Sequence, residues 1–416
     1  MMASHGRRRV LIIVENLPCP FDRRVWQEAL ALRAHGYLVS IICPKGRGYE
    51  RSFEILEDIH IYRHPLPVEA DTLLGYALEY GMSLALELWL AIRIAYARGF
   101  DLIHACNPPD TIFLIGRLFK LFGKRFIFDH HDISPELYEA KFGRRDRWYR
   151  LMRRLERWTF DTADVSIATN ESYREIAIER GGMSPDRVFV VRSGPDLTRI
   201  RPVAPRADLR RGKRHLVGYV GVIGKQEGLD LLLRAAHHLR NDLARDDVHF
   251  MIVGGGTEVP ALKAMATELG LDDIVEFTGR IPDEDLWVVL STADVCVNPD
   301  HANEMNDKST MNKILEYMAF GKPIVQFDLT EGRRSAGEAS LYARPNDFRD
   351  FAEKLAALLD DPDRRTRMGK IGRGRLEGEL AWNHQVPKLL AAYELALNGP
   401  RRAYVTSSDA ESADRP

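Results

Sequence analysis

Short β-branched runs alternate with helix-length stretches along most of the chain, and this alternation constrains the fold more than any other feature. In the first half, Val10–Val14, Leu38–Cys43, Leu102–His104, Arg125–Asp129, Val165–Ala168 and Val188–Val191 read as strands. Between them, Arg23–His35, Thr72–Ala97 and Thr111–Phe122 read as helices. Apolar runs bounded by Gly, Pro or Asp and separated by helices are the mark of βαβ units on a parallel sheet covered on both faces. The pattern breaks over Pro195–Arg214, which is rich in Pro, Arg and Lys. It resumes at Leu216–Val220, His249–Val253, Val275–Thr278, Val295–Asn298 and Pro323–Phe327. The expected architecture is α/β, with two doubly wound Rossmann-like domains facing across a cleft. The first domain is expected over 1–195, a hinge-like linker over 196–214 and the second domain over 215–380. A terminal helix over 381–398 is expected to return to the first domain, followed by a disordered polar tail over 399–416.

Composition narrows the functional classes. The 59 Lys and Arg nearly cancel the 60 Asp and Glu, a formal charge of −1, so no nucleic-acid partner is expected. Cys19, Cys43, Cys106 and Cys296 form no pair at metal-ligand spacing. They are expected to be buried thiols in a reducing, cytoplasmic compartment, with no metal site. The apolar run after Arg7-Arg8-Arg9 stops at Glu15, too short for a signal peptide. Glu79, Glu87 and Arg93 interrupt Leu73–Ala97, which argues against a bilayer span.

Parallel sheets bind ligands beyond the carboxyl ends of their strands. There, Gly221-Val222-Ile223-Gly224-Lys225-Gln226-Glu227-Gly228 leads into a helix read over Leu229–Arg240. Such a loop suits an anion, since glycines admit close approach and the helix offers unbonded N–H groups, although taken alone it reads first as a plain tight turn. Gly254-Gly255-Gly256 carries the same two readings. Neither loop fits the dinucleotide fingerprint or a Walker A loop. The richest stretch is Asn306–Pro323, where Ser309 or Thr310 is expected to cap a helix that carries Glu316 about two turns on. A phosphate at that helix start and a carboxylate farther along suit a nucleoside diphosphate and its ribose hydroxyls.

In the first half, Asp129-His130-His131-Asp132 follows a strand, and a His beside a carboxylate can bind a sugar or move a proton. His131 is the first catalytic candidate, then His130, with Asp132 alongside. Asn107 and Asp110 follow the strand read over Leu102–His104 and are acceptor-side candidates. Glu136 is open between such a contact and a helix cap, and Asp22 is expected to cap Arg23–His35.

Glu316-Tyr317-Met318-Ala319-Phe320-Gly321-Lys322-Pro323-Ile324-Val325 resembles the E-A-M-A-x-G-x-P-V-V signature of family-4 glycosyltransferases, which have the GT-B fold. Tyr219-Val220-Gly221 with Gly228–Leu233, Phe250–Gly256, Val275–Arg280 and Ala293-Asp294-Val295 resemble further family motifs in the right order. The resemblance implies transfer of a sugar from a nucleotide-diphosphate sugar, by default a UDP-sugar, to a glycan or lipid-linked acceptor, with retention, no metal and no cofactor. It implies a hexosyltransferase acting in surface polysaccharide or glycolipid synthesis. It places Glu316 on the donor ribose and backbone near Arg280 on the base. It places Gly221, Ser309 and Thr310 near the diphosphate, with Gly224, Gly254 and Gly255 in the same donor-binding set.

The chain also departs from the family. Lys308 stands where a donor-sugar Glu is usual, and Val222 and Glu227 stand where a diphosphate-neutralising Arg and Lys are usual. Lys225 and Lys308 are expected to restore the missing charge. A non-catalytic nucleotide-sugar-binding relative is the alternative, and a dinucleotide-dependent oxidoreductase a more distant one. Arg144–Trp158 mixes seven arginines, from Arg144 to Arg157, with Trp148, Tyr149 and Trp158. That pattern suits either a solvated helix face or peripheral binding to an anionic membrane surface.

Overall fold

The structure, a computed structural model, describes residues 8–65 and 73–402. It divides into two compact units, Met1–Arg192 with Val386–Pro416, and Ser193–Gln385.

The first unit holds β1 (Arg9–Ile13), α1 (Arg23–Ala34), β2 (Leu38–Pro44), β3 (Phe53–Leu56), β4 (Ile59–His64) and α2 (Leu73–Ala97). These are followed by β5 (Leu102–Cys106), α3 (Phe113–Leu121), β6 (Arg125–His130), α4 (Ser134–Phe142), α5 (Arg147–Thr162), β7 (Val165–Ala168), α6 (Glu171–Glu179) and β8 (Val188–Val190). The sheet order is β3-β4-β2-β1-β5-β6-β7-β8. Among the described strands of this sheet, only β3 pairs antiparallel, with β4. Sequence reading passes over this hairpin because His60, Tyr62 and Arg63 interrupt the apolar run. Its turn is Glu57-Asp58, both at positive φ, instead of the commoner Asn-Gly. Asp22 caps α1 as expected, accepting from the Val25 N–H at 3.1 Å.

The second unit holds β9 (His215–Val220), α7 (Leu229–Asn241), β10 (Val248–Val253), α8 (Val259–Glu268), β11 (Val275–Gly279), α9 (Asp283–Thr292) and β12 (Val295–Asn298). It continues with α10 (Glu304–Lys308), α11 (Asn312–Ala319), β13 (Ile324–Phe327), α12 (Thr330–Ala336), β14 (Ser340–Ala343), α13 (Phe348–Leu359) and α14 (Pro362–Arg375). The last helix, α15 (Trp382–Asn398), runs past the unit boundary. The sheet is wholly parallel, in the order β11-β10-β9-β12-β13-β14. The chain steps from β9 outward to β11 and then returns to the other side of β9, so the topological switch point lies between β9 and β12. That is where an open α/β sheet leaves a crevice for a ligand.

The segment read as a linker lies along the second unit. The Val203 and Arg206 N–H groups bond the Ser291 and Thr292 hydroxyls at 3.0 and 2.9 Å. Of the expected tail, residues 403–416 lie outside the described residues, as do Arg7 and Thr72. Its first residues are anchored: Arg402 donates to the Phe160 and Gly182 carbonyls. Among the described residues no helix is long and apolar enough to cross a membrane. All four cysteines are buried free thiols.

Candidate functional site

At the β9–β12 switch point the second unit builds a polar crevice. A Cβ on Gly228, whose φ is +60°, would lie 2.0 Å from the Pro299 carbonyl oxygen, so only glycine lets the two loops close on each other. The His301 N–H and the Asn306 side-chain amide both donate to the Gln226 carbonyl, at 3.0 and 2.9 Å. Tyr317 of α11 is fully buried and spans the switch point, accepting from the Val220 N–H at 3.0 Å and donating to the Val297 carbonyl at 3.1 Å. The Gly254-Gly255-Gly256 turn packs under the same loop. A Cβ on Gly254 would meet the Gly221 oxygen at 1.8 Å and one on Gly256 the Ile223 oxygen at 2.2 Å. Gly255 faces open space.

One cation sits in this crevice that sequence reading passed over. Lys313 directs its ammonium onto Asp300 at 2.7 Å and within 3.4 Å of the Tyr219 hydroxyl. Burial works against its charge, but Asp300 and Tyr219 more than restore it, so its pKa is raised. Asp300 is itself pushed up by burial, against the pull of Lys313. The Asp300 Oδ2 and Asn298 Oδ1 atoms are buried without a hydrogen-bond partner. Glu227 accepts from the Gly224 N–H at 3.1 Å, and burial raises its carboxyl as well. Lys225 is exposed, and Lys308 reaches Glu304 across one helical turn at 2.7 Å. The cation held between β9 and β12 is thus a third lysine.

Ser309 and Thr310 do not cap α11. The cap position is Met311, without a side-chain bond, because the short helix α10 intervenes and Ser309 ends it, donating to the Met305 carbonyl at 2.7 Å. Glu316 lies half-buried on α11, and Arg280 is exposed just after β11.

In the first unit, β6 runs farther than expected, to His130, and so carries Asp129 and His130 into the sheet interior. Asp129 is the hub of a buried polar network. Arg24 of α1 donates to both of its oxygens, at 2.8 and 3.2 Å. His131 meets it through Nε2 at 2.6 Å and His104 through Nε2 at 3.2 Å. Tyr393 of α15 lies 2.7 Å from His104 Nδ1. The donors close consistently if Tyr393 donates to Nδ1 and His104 donates from Nε2 to Asp129. Burial alone would raise the Asp129 carboxyl, but Arg24 and His131 hold it well below the ordinary carboxylate range. Burial likewise opposes charge on His131, and Asp129 overcomes it, so the imidazole titrates above its ordinary value. Glu28, beside Arg24 at 3.1 Å, is pushed up to about 7 by burial.

Asp129 and Arg24 both address His131 Nε2, which leaves Nδ1 as the ring nitrogen for other partners. Asn107 fixes the loop: its Oδ1 accepts from the His131 and Asp132 N–H groups at 2.7 and 3.1 Å, and its amide donates to Asp110 at 3.0 Å. Burial raises Asp132 and takes Asp110 up to about 6. His104, Cys106 and Asp129 bring ligand-type atoms within 4.8 Å of one another. Asp129, however, already accepts from Arg24, His104 and His131, so this trio is a hydrogen-bonded core and not an open coordination set.

Two acceptor-side or catalytic candidates change role. His130 is enclosed by the Phe128, Phe160 and Tyr173 rings at 5.0–5.4 Å, and burial takes its pKa down to about 3. Fully buried among these rings, with Glu156 3.7 Å from Nε2, it is a core residue. Glu136 neither caps a helix nor faces solvent. It is buried in α4 and paired with Arg180, the residue that caps the end of α6, which also holds Glu156 of α5 at 2.6 Å.

The comparisons with known proteins match both units. The family described as Glycosyltransferase Family 4 matches residues 22–199, and Glycosyl transferases group 1 matches residues 214–361. The D-inositol 3-phosphate glycosyltransferase of Nocardia farcinica is 34% identical over 248 residues, 56% of this chain and 53% of that protein. The chain thus spans about half the length of the curated relative it matches. Sucrose-phosphate synthase from Thermosynechococcus elongatus superposes with a TM-score of 0.76 at 20% identity, covering 93% of this chain and 98% of that one. The Anabaena protein HepE, in complex with UDP-glucose, gives 0.70 at 15% identity over 93% and 99%. The two parallel-sheet units, the switch-point crevice and these matches together show that the chain belongs to the family-4 glycosyltransferases of the GT-B fold.

Proposed function

We propose that the chain is a glycosyltransferase that takes a sugar from a nucleoside-diphosphate sugar seated at the β9–β12 switch point. The observation that carries this is the switch point itself, where the glycine loop after β9 and the Lys313 side chain at the start of α11 lie against each other. Glu316 is proposed to accept from the donor ribose, with Gly221, Gly224, Ser309 and Thr310 near the diphosphate and backbone around Arg280 at the base. In the first unit His131, oriented by Asp129, is the proposed group on the reacting sugar, with Asn107 and Asp110 holding its loop. A UDP-sugar is the proposed donor, in keeping with the UDP-glucose named for HepE. Retention, metal independence, a hexosyl group and a role in polysaccharide or glycolipid assembly follow the family resemblance.

Thermal unfolding with UDP, ADP, GDP and NAD(P) tests the donor class. A ligand at a hundred times its dissociation constant adds about 2.7 kcal/mol of stability. Stabilisation by one diphosphate is expected, and stabilisation by NAD(P) alone would overturn the assignment. Glu316→Gln is expected to weaken binding of that diphosphate about 10- to 100-fold, the worth of a hydrogen bond to a charged group. Unchanged affinity would remove Glu316 from the ribose. A non-catalytic nucleotide-sugar-binding relative is the second reading, favoured by Val222 and Glu227 at positions usually cationic. Product formation from donor and acceptor separates the two.

The α5 face is proposed to rest on an anionic membrane surface at the cytoplasmic side. Arg147, Arg150, Arg153 and Arg154 are exposed along it, with Leu151 and Trp158 on the same helix and Leu121 and Phe122 at the end of α3. Tyr149, Thr159 and Phe160 turn inward and hold the helix on the unit. Such a basic, apolar-flanked helix suits the headgroup boundary. Flotation with phosphatidylglycerol liposomes and not with phosphatidylcholine liposomes is expected; binding to neither would exclude this surface.

A further inference from the structure

We infer that Lys313 supplies the positive charge that meets the diphosphate of the donor, in place of the two loop cations that Val222 and Glu227 displace. The inference rests on the donor reading above and deepens it at one residue.

Lys313 stands in the first turn of α11, and its stem passes directly beneath the glycine loop. A Cβ on Gly221 would lie 3.4 Å from Lys313 Cε and 3.0 Å from the Tyr219 hydroxyl. The ammonium is 5.0 Å from the centre of the Tyr219 ring. Its side chain is 10% exposed and that of Asp300 1%. A lysine ammonium is strongly hydrated, and burying one is costly without a partner. Here Asp300 and Tyr219, from the ends of β12 and β9, hold it at the mouth of the switch point.

Several observations separate this from a lysine that only ties two loops together. Asp300 takes the ammonium on Oδ1, and its remaining oxygen and the adjacent Asn298 Oδ1 are buried acceptors, which suit a donor such as a hydroxyl or water and not the diphosphate itself. Polar groups so placed normally meet a ligand or water. The charges facing Lys313 are Asp300 on the loop after β12, Glu227 on the loop after β9 and the Tyr219 hydroxyl. Removing Lys313 would leave an incoming diphosphate to meet two carboxylates with no buried cation between them. A leaving diphosphate also needs fixed positive charge where its own negative charge grows, and a buried ammonium interacts strongly in such a low-dielectric site. Lys308 and Lys225, exposed or partly so, act through solvent and are screened.

The test is binding of the nucleoside diphosphate that wild-type protein takes, alongside its parent nucleoside, by calorimetry. Lys313→Met and the double variant Lys313→Met with Asp300→Asn are compared with Lys313→Arg. The double variant removes both buried charges together and so retains the fold even if the single one does not. Both Met variants are expected to lose diphosphate affinity about 10- to 100-fold, with nucleoside affinity within about two-fold of wild type, and Arg to recover part of the loss. Diphosphate binding unchanged in the double variant overturns the inference. So does an equal loss of diphosphate and nucleoside, which marks a structural lysine. If wild-type protein binds nucleoside but no diphosphate, the donor reading itself falls, and this inference with it.

Discussion

Asp129→Asn is expected to lower kcat/KM about 10²- to 10⁴-fold, the range for disabling a positioned acid–base group, and to move the His131 titration downward. Burial and the nearby Arg24 charge disfavour imidazolium, and Asp129 supplies most of what offsets them, with a smaller contribution from Asp22, so an amide there shifts the balance against imidazolium. The amide can also donate toward His131 Nε2, where the carboxylate only accepts. Stability should fall as well, because Arg24 is buried and would lose its ion pair with Asp129. Breaking one side of a buried pair costs about 3–5 kcal/mol. The pH dependence follows from the directions of the shifts. A histidine whose folded pKa is raised contributes stability that is complete below its unfolded pKa and is lost as pH rises through the folded value. The wild-type pair should therefore contribute less in alkaline buffer, and the variant should lack that dependence. NMR titration of His131, with denaturant unfolding at two pH values, measures both. A His131 titration unchanged in the variant would show that Asp129 does not set its charge.

Arg180→Met should be the most destabilising substitution in the first unit outside that network. Arg180 is the shared cation for Glu136 and Glu156, both buried, and it ties α4, α5 and α6 together. Its loss strands two carboxylates, with a cost of about 3–5 kcal/mol at neutral pH. The cost should shrink on acidification. Glu156 is already pushed up to about 7 by burial with Arg180 present, and removing the cation raises it further. A carboxyl whose folded pKa is raised contributes stability that is complete below its unfolded pKa of about 4.5 and lost as pH rises through the folded value. The variant should thus lie nearer wild type at pH 5 than at pH 8 in urea unfolding. An equal penalty at both would mean that the carboxyls find other partners.

The switch-point crevice was only partly legible in the chain. Gly221, Gly228 and Glu316 stand out because a tight turn, a loop contact and a helix carboxylate leave local marks. Lys313 lies inside the same motif but looks like any helix-surface lysine. Its partners Asp300 and Tyr219 are thirteen and ninety-four residues away. His130 and His131 are neighbours of equal appeal in sequence. A strand sends successive side chains to opposite faces, and that alternation, with the length of β6, put one among aromatic rings and the other on Asp129.

The chain by itself determined the two parallel-sheet series, the break between them and the family motifs, since each depends on local periodicity or on residues close in sequence. The tertiary structure alone decided which charges are buried together. Asp129 draws its partners from α1, β5 and the end of β6, and His104 is held in turn by Tyr393 near the far end of the chain. Arg180 gathers Glu136 and Glu156 from two other helices. The energy of a buried charge depends on what surrounds it in space, and sequence separation carries almost none of that information.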